Sequence, residues 1–347
     1  MSTKLRHIFW IVLFVCPATL AGAGTISIPL VTVGDPGNVA DPATGYGSVG
    51  YAYQMGEYDV TIGDYTAFLN AVAQTDTYGL YNTGMALRPV GSFYTLGIAR
   101  SGSSGSYTYS VAGSYSQAAN CPIYDVSWGD ACRFINWLAN GQPTGAENAS
   151  TTEAGTYSLN GGTSNLALMQ VTRNPGSTWV LPNVNEWYKA SYYVGGGTNA
   201  GYWTYPTQSN TPPSNVLSAT GTNNANFSGN GASLSSDPLN FLTPVGAFAA
   251  SPSAYGTYDQ SGDVWQWNET NYFNYARGLR GGSFADVASA LLSGAEDNIA
   301  PVGYDPNVGF RVAYVPEPSS IELLTVAVAV IAILNRNRSD NRKWRRL

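Results

Sequence analysis

Residues 278–292 read GLRGGSFADVASALL. The Gly-Gly-Ser-Phe at 281–284 signals a turn beside a strand, because paired glycines supply backbone freedom that other residues lack. Tryptophans crowd the run before it, YGTYDQSGDVWQWNE (255–269), and a second glycine-aromatic segment, NVGFRVA (307–313), follows it. Two side chains just after the turn, Asp286 and Leu291, bear on whether this part of the chain carries chemistry.

Working outward, three segments have a helical period. TIGDYTAFLNAVAQ starts at Thr61 as N-cap and places Tyr65, Phe68, Leu69 and Val72 on one face. SWGDACRFINWLANG has Ser127 as N-cap, an apolar face through Trp128, Ala131, Ile135 and Leu138, and Gly141 as its stop. LPNVNEWYKASYY offers Asn183 as N-cap with Glu186 three residues on, close to a capping box. Between them lie long tracts rich in Gly, Asn, Ser and Thr, 141–178 and 195–236. Loops of that length inside a domain are functional, tied down by something such as a metal, or plain solvated surface. No internal repeat and no second core interrupts the chain before about Val315.

Six segments in this order, GEYDVTIGDYTAFLNAV (56–72), CPIYDVSWGDACRFINWL (121–138), WVLPNVNEWYKASYY (179–193), YGTYDQSGDVWQWNE (255–269), RGGSF (280–284) and NVGFRVA (307–313), resemble the formylglycine-generating enzyme, or sulfatase-modifying factor, family. The resemblance covers roughly residues 50–314 and implies a loop-rich α+β fold related to C-type lectins, with few helices and short strands, over a domain spanning 24–314. It implies core positions for Trp128, Trp137, Trp187, Trp265 and Trp267. Arg311 of the Gly-Phe-Arg run is either a ligand contact or a buried ion-pair and backbone contact.

The resemblance also says where chemistry belongs. Members that oxidise a sulfatase cysteine to formylglycine hold copper(I) between two thiolates after the Gly-Gly-Ser turn, and soft ligands are what copper(I) selects. Asp286 and Leu291 are the nearest counterparts here, so no copper is expected. Iron-dependent members need histidines, and His7 is the sole histidine of the chain. An enzyme of altered chemistry would draw on Ser283, Asp286, Glu296 or Asp297 in the same region. The family's Gly-Asn-Val-Trp-Glu run commonly binds calcium, which favours oxygen ligands; Asp263 and Gln266 stand there in place of Asn and Glu, and Asn226 with Gly246 would serve a second calcium site. Cys121 and Cys132, with ten residues between them, read in an exported chain as a disulfide, against redox or metal use. Such a bridge would contribute roughly 3 kcal/mol.

Both ends look like export signals. Lys4 and Arg6 precede an apolar run, Ile8 to Leu20, and Ala21-Gly22-Ala23, the pattern of a signal peptide over residues 1–23. At 315–347, Pro316-Glu317-Pro318 precedes the apolar Ile321 to Leu334 and six basic residues. That order resembles the PEP-CTERM sorting signal, whose tail an exosortase removes; a permanent tail anchor is the alternative. Eight of the 16 Lys and Arg but only two of the 22 Asp and Glu fall in residues 1–23 and 319–347, leaving a body with 8 basic and 20 acidic residues and a net charge of −12. Such a surface repels phosphate backbones, which argues against nucleic acid. The expectation is an exported, non-catalytic domain, transiently anchored by its C-terminal helix, that binds exopolysaccharide or another matrix component at the cell surface. Tyr202, Trp203 and Tyr205 are its candidate ligand contacts, unless they pin their loop to the core.

Overall fold

The computed structural model of the chain describes residues 25–87, 95–229 and 241–316. The signal segment 1–23, Glu317, Pro318 and the apolar tail beyond them lie outside these residues, and Pro316 is the last one described. No helix among the described residues is long and apolar enough to cross a membrane.

The three anticipated helices form where their caps say they should. Helix α1 (Ile62–Val72) opens on a capping box in which Thr61 accepts from the Asp64 N–H and the Asp64 carboxylate accepts from the Thr61 N–H. Its Tyr65, Phe68, Leu69 and Val72 are buried. Helix α2 (Trp128–Ala139) has the same box at Ser127 and Asp130, and it ends where Gly141 takes a positive φ of 81°. A short α3 (Asn165–Met169) interrupts the tract read as loop; five residues are too few for a period to show in sequence. Helix α4 (Val184–Tyr192) carries the Asn183–Glu186 box.

Ten short strands complete the α+β architecture expected from the resemblance. Strands β1 (Leu30–Val33) and β2 (Tyr53–Gly56) join β5 (Trp179–Val180) and β10 (Ala313–Tyr314) in an antiparallel sheet ordered β1-β2-β10-β5, which brings the two ends of the domain together. Strands β3 (Leu96–Ser101) and β4 (Thr108–Gly113) make a separate hairpin. The third sheet, ordered β8-β7-β6-β9, holds β6 (Trp265–Tyr272), β7 (Ala276–Arg280), β8 (Asp297–Ile299) and β9 (Val308–Gly309). Its β7 ends on Arg280, directly before the Gly-Gly turn.

Aromatic rings fill the core. Phe68, Phe134, Trp137 and Phe310 pack with neighbouring centroids 5.2–5.7 Å apart, in tilted and edge-on geometries that suit the ring quadrupole. The five expected core tryptophans are all buried, and every indole N–H has an acceptor: Trp128 on the Asn268 carbonyl, Trp137 on Pro143, Trp187 on the Gln266 side chain, Trp265 on Asp286 and Trp267 on Val126. The long tract after α2 is tied down by hydrogen bonds. The Asn136 amide donates to the carbonyls of Thr152 and Tyr157, and Arg133 grips Glu153 with Nε at 2.6 Å and Nη2 at 3.2 Å. These contacts wrap the loop around α2 and bury the helix on nearly every side.

Candidate functional site

The turn after β7 is shaped by its two glycines. Gly281 and Gly282 sit at φ +102° and +70°, and a Cβ at 282 would stand 2.9 Å from a Leu291 methyl group and 3.0 Å from the Ala290 carbonyl. The segment that follows therefore folds back onto the turn. Leu291 is fully buried with Tyr205, Ala225 and Phe227. Asp286 spends one carboxylate oxygen on the Ser283 N–H (3.0 Å), the Ser283 hydroxyl (2.5 Å) and the Trp265 indole N–H (2.8 Å). Neither position offers a soft ligand, so the turn does not fit copper(I).

The other acidic groups near the turn do not assemble a catalytic set. Ser283 has Asp286 as its acceptor while its oxygen receives the Asn307 amide at 3.0 Å, and no histidine stands by to take its proton. Glu296 belongs to a different cluster, accepting from Arg280 at 2.9 Å and Tyr272 at 2.8 Å, and Asp297 lies exposed on β8.

Asp263 and Asn226 do meet, but as acceptor and donor rather than as two ligands. The Asn226 amide donates to Asp263 Oδ1 at 2.7 Å, the Thr243 N–H to the same oxygen at 2.8 Å and the Thr243 hydroxyl to Oδ2 at 2.8 Å. Three donors aimed at one carboxylate leave it poorly suited to calcium, which needs oxygens turned towards a shared point. Gln266 is equally committed: its carbonyl oxygen receives Trp187 and Arg311, and its amide donates to the Asp259 carbonyl. Gly246 faces the Asp259 carboxylate with its N–H, not with a carbonyl. Among the described residues no group of three or more His, Cys, Asp and Glu side chains is placed to hold a metal.

Burial raises the carboxyls of Asp59, Asp259 and Asp263 above the usual carboxylate range, and their mutual repulsion adds to the shift at Asp263. Arg311 is the buried counter-charge. It lies 3.4 Å from Asp59 and donates to the carbonyls of Gly56, Glu57 and Tyr258, so its role is the ion-pair and backbone one.

The expected Cys121–Cys132 bridge is not formed. Cys121 lies beside the Thr61–Pro122 pairing at the start of α1, its thiol directed at the Gln117 carbonyl. Cys132 sits in the second turn of α2, within electrostatic range of Arg277 and Glu269, and burial pushes its thiol pKa up. Ten intervening residues leave the pairing open, and the non-helical run from Pro122 to Val126 leads the two thiols to different neighbours.

The aromatic loop is also a correction. Tyr202 packs on Tyr188 and Tyr193, donates to the Val39 carbonyl at 2.8 Å and accepts from Asn38 at 2.8 Å. Tyr205 is buried in the Leu291 cluster, and the half-buried Trp203 is anchored through its backbone N–H to Tyr192. These rings gain more by covering the domain's own apolar surface than by facing water, so they pin the loop to the core.

Among the described residues, two open clefts lie beside α2 and bear on function. One, about 120 Å³, is lined by Trp128, Tyr157, Arg173, Glu269 and Arg277. Arg173 there is engaged at all three nitrogens, with Nε on Glu269 and the terminal nitrogens on Glu186 and the Leu181 carbonyl. The other, about 160 Å³, opens over the N-terminal half of α2 between Tyr78, Asn82, Asp130, Arg133, Thr163 and Tyr304. Sequence reading passed over Asp130 and Arg133. Ser127 reads as an N-cap, but nothing local shows that Asp130 would close a capping box with only part of its carboxylate.

The fold has known counterparts. A crystal structure of CarF superposes with a TM-score of 0.51 at 21% identity, over 84% of this chain and 99% of that one. Treponema denticola variable protein 1 gives 0.46 at 17%, over 85% and 97% of the two chains, and PvdO from Pseudomonas aeruginosa gives 0.41 at 19%, over 83% and 91%. No curated protein sequence matches. The family of the sulfatase-modifying factor enzyme 1-like domain matches residues 31–315, most of the chain and nearly all of the described residues, and the chain belongs to that family.

Proposed function

We propose that this is a non-catalytic member of its family, exported and used as a binding domain at the cell surface or in the surrounding matrix. One observation carries the non-catalytic half: the two positions after the Gly-Gly-Ser turn hold a buried leucine and a carboxylate already taken by three hydrogen bonds. A copper(I) centre needs soft ligands, and removing them removes the place where oxygen is activated. The purified protein, supplied with copper and oxygen, is expected to leave the cysteine of a sulfatase-motif peptide unchanged. Mass analysis showing conversion to the aldehyde overturns this reading.

The export half rests on the sequence of the two ends. A signal peptide at 1–23 sends the chain out, and the Pro316–Pro318 motif with its apolar run and basic tail hands it to an exosortase-type protease. The resulting domain, rich in Asn, Tyr and Trp, is presented to exopolysaccharide or another matrix polymer. Pull-down against the producing cell's own matrix, together with a glycan array, tests the binding. Blanks in both remove it.

A further inference from the structure

The cleft over α2 brings a carboxylate and a guanidinium, each only partly used, to one open wall. Arg133, 1% exposed, spends Nε and Nη2 on Glu153 and the Gly162 carbonyl, and Nη1 has no acceptor among the described residues. Asp130, one helical turn earlier, spends Oδ2 on the Ser127 N–H and hydroxyl, and Oδ1 has no donor among the described residues. Both line the same cleft, they form no ion pair with each other, and the Arg133 guanidinium is braced 4.6 Å above the Tyr78 ring. At the mouth stand the exposed Thr163 and the Tyr304 ring, 56% exposed. Both open atoms face the cleft, where solvent reaches them, so an occupant must replace the hydrogen bonds that water makes there.

The pattern selects a ligand class. A small anion would meet the Asp130 carboxylate, and a small cation would meet the guanidinium, so a bare ion of either sign is opposed by one wall. A hydroxyl both donates and accepts, and two neighbouring hydroxyls satisfy a carboxylate oxygen and a guanidinium N–H together. The exposed tyrosine offers a flat apolar face. A cavity of about 160 Å³ is well below the roughly 300–1,000 Å³ of drug-sized sites, which limits the occupant to about one ring.

We propose that this cleft binds a single neutral sugar ring of a glycan, with adjacent hydroxyls bridging Asp130 Oδ1 and Arg133 Nη1 and the ring face resting on Tyr304. The inference deepens the binding role proposed above and rests on it. Calorimetric titration of the purified protein with methyl glycosides of neutral hexoses and N-acetylhexosamines, with inorganic sulfate and a hexuronate as charged controls, tests it. At least one neutral glycoside is expected to bind and both anions to fail. Tyr304→Ala, a change at an exposed position, is expected to weaken binding at least about tenfold with the thermal midpoint unchanged, and Asp130→Asn, which retains a capping oxygen, to weaken it too. Phe273→Ala, at a 96% exposed site on the turn between β6 and β7, is the control and leaves affinity as it was. No neutral glycoside binding, or binding that survives Tyr304→Ala, overturns the inference. If the matrix pull-down succeeds while these titrations fail, the surface role stands and the cleft does not; if both fail, both readings fall.

Discussion

Asp263 and Asp130 are both buried carboxylates next to an aromatic core, and they are provided for in opposite ways. Asp263 has three protein donors over its two oxygens, and beside it the Gly281–Leu291 turn is closed by a fully buried leucine. Asp130 has its partners on one oxygen only, and its neighbour Arg133 also keeps one nitrogen in reserve. The contrast teaches that a buried carboxylate beside a glycine turn can be fully provided for while an ordinary helix cap elsewhere keeps spare polar capacity. What marks a site is uncommitted polar atoms at an accessible wall, not the presence of charged residues.

The closed region should be the less tolerant of change. Leu291→Ala opens a cavity against Tyr205, Ala225 and Phe227 and is expected to cost about 2–5 kcal/mol, whereas Thr163→Ala on the cleft rim should stay within about 0.5 kcal/mol. Chemical denaturation of the two variants checks this. Equal losses would erase the distinction.

The next effect is electrostatic. Asp259 and Asp263 have folded-state pKa values of about 6 and about 7, raised by burial, against an ordinary 3.8. The native state therefore holds extra protons between about pH 4 and 7, so stability is greatest at the acid end of that window, falls as pH rises through it and levels off above it. Asp263→Asn reproduces the protonated form, keeping an acceptor for Asn226 and a donor for the Thr243 hydroxyl. It is expected to stabilise the protein at pH 8 by on the order of 2 kcal/mol and to flatten the pH dependence. Urea midpoints at pH 5.5 and 8 decide it, and a wild-type midpoint that rises with pH contradicts the assignment.

Two smaller effects sharpen the reading of the closed region. Calcium added after chelation should move the thermal midpoint by less than about 1 °C, since a ligand stabilises only the state that binds it. A rise of several degrees would mean that the Asp263 donors rearrange around a cation. Reduction should leave the midpoint unchanged too, and alkylation of the unfolded, unreduced protein should label both Cys121 and Cys132; a mass corresponding to a bridge between them would contradict the unbridged arrangement.

The Thr61, Ser127 and Asn183 caps and the core tryptophans were legible because caps and periodic apolar faces are local, and the order of six segments was enough to place the family. The loss of thiols at 286 and 291 was legible for the same reason, being a matter of residue identity. The fate of Tyr202 and Tyr205 was not. An aromatic in a polar loop reads alike whether it faces solvent or packs under its own loop, and Tyr202 is settled by Tyr188, Tyr193 and Val39, all distant in the chain or hidden by the fold. Asp263 shows the same limit. Its type suited a cation, but Thr243 and Asn226, 20 and 37 residues away, supply the donors that claim it.

Residue identity alone determined that the body of this chain has no histidine, no thiolate pair after its Gly-Gly-Ser turn, and a net charge of −12 that disfavours nucleic acid. Tertiary structure alone decided which polar atoms are spent. Hydrogen-bond saturation depends on partners brought together across 15 to more than 100 residues, as when Arg133 meets Glu153 and Gly162 and opens onto Tyr304, and no local pattern encodes which lone pair or N–H will be left facing a cleft.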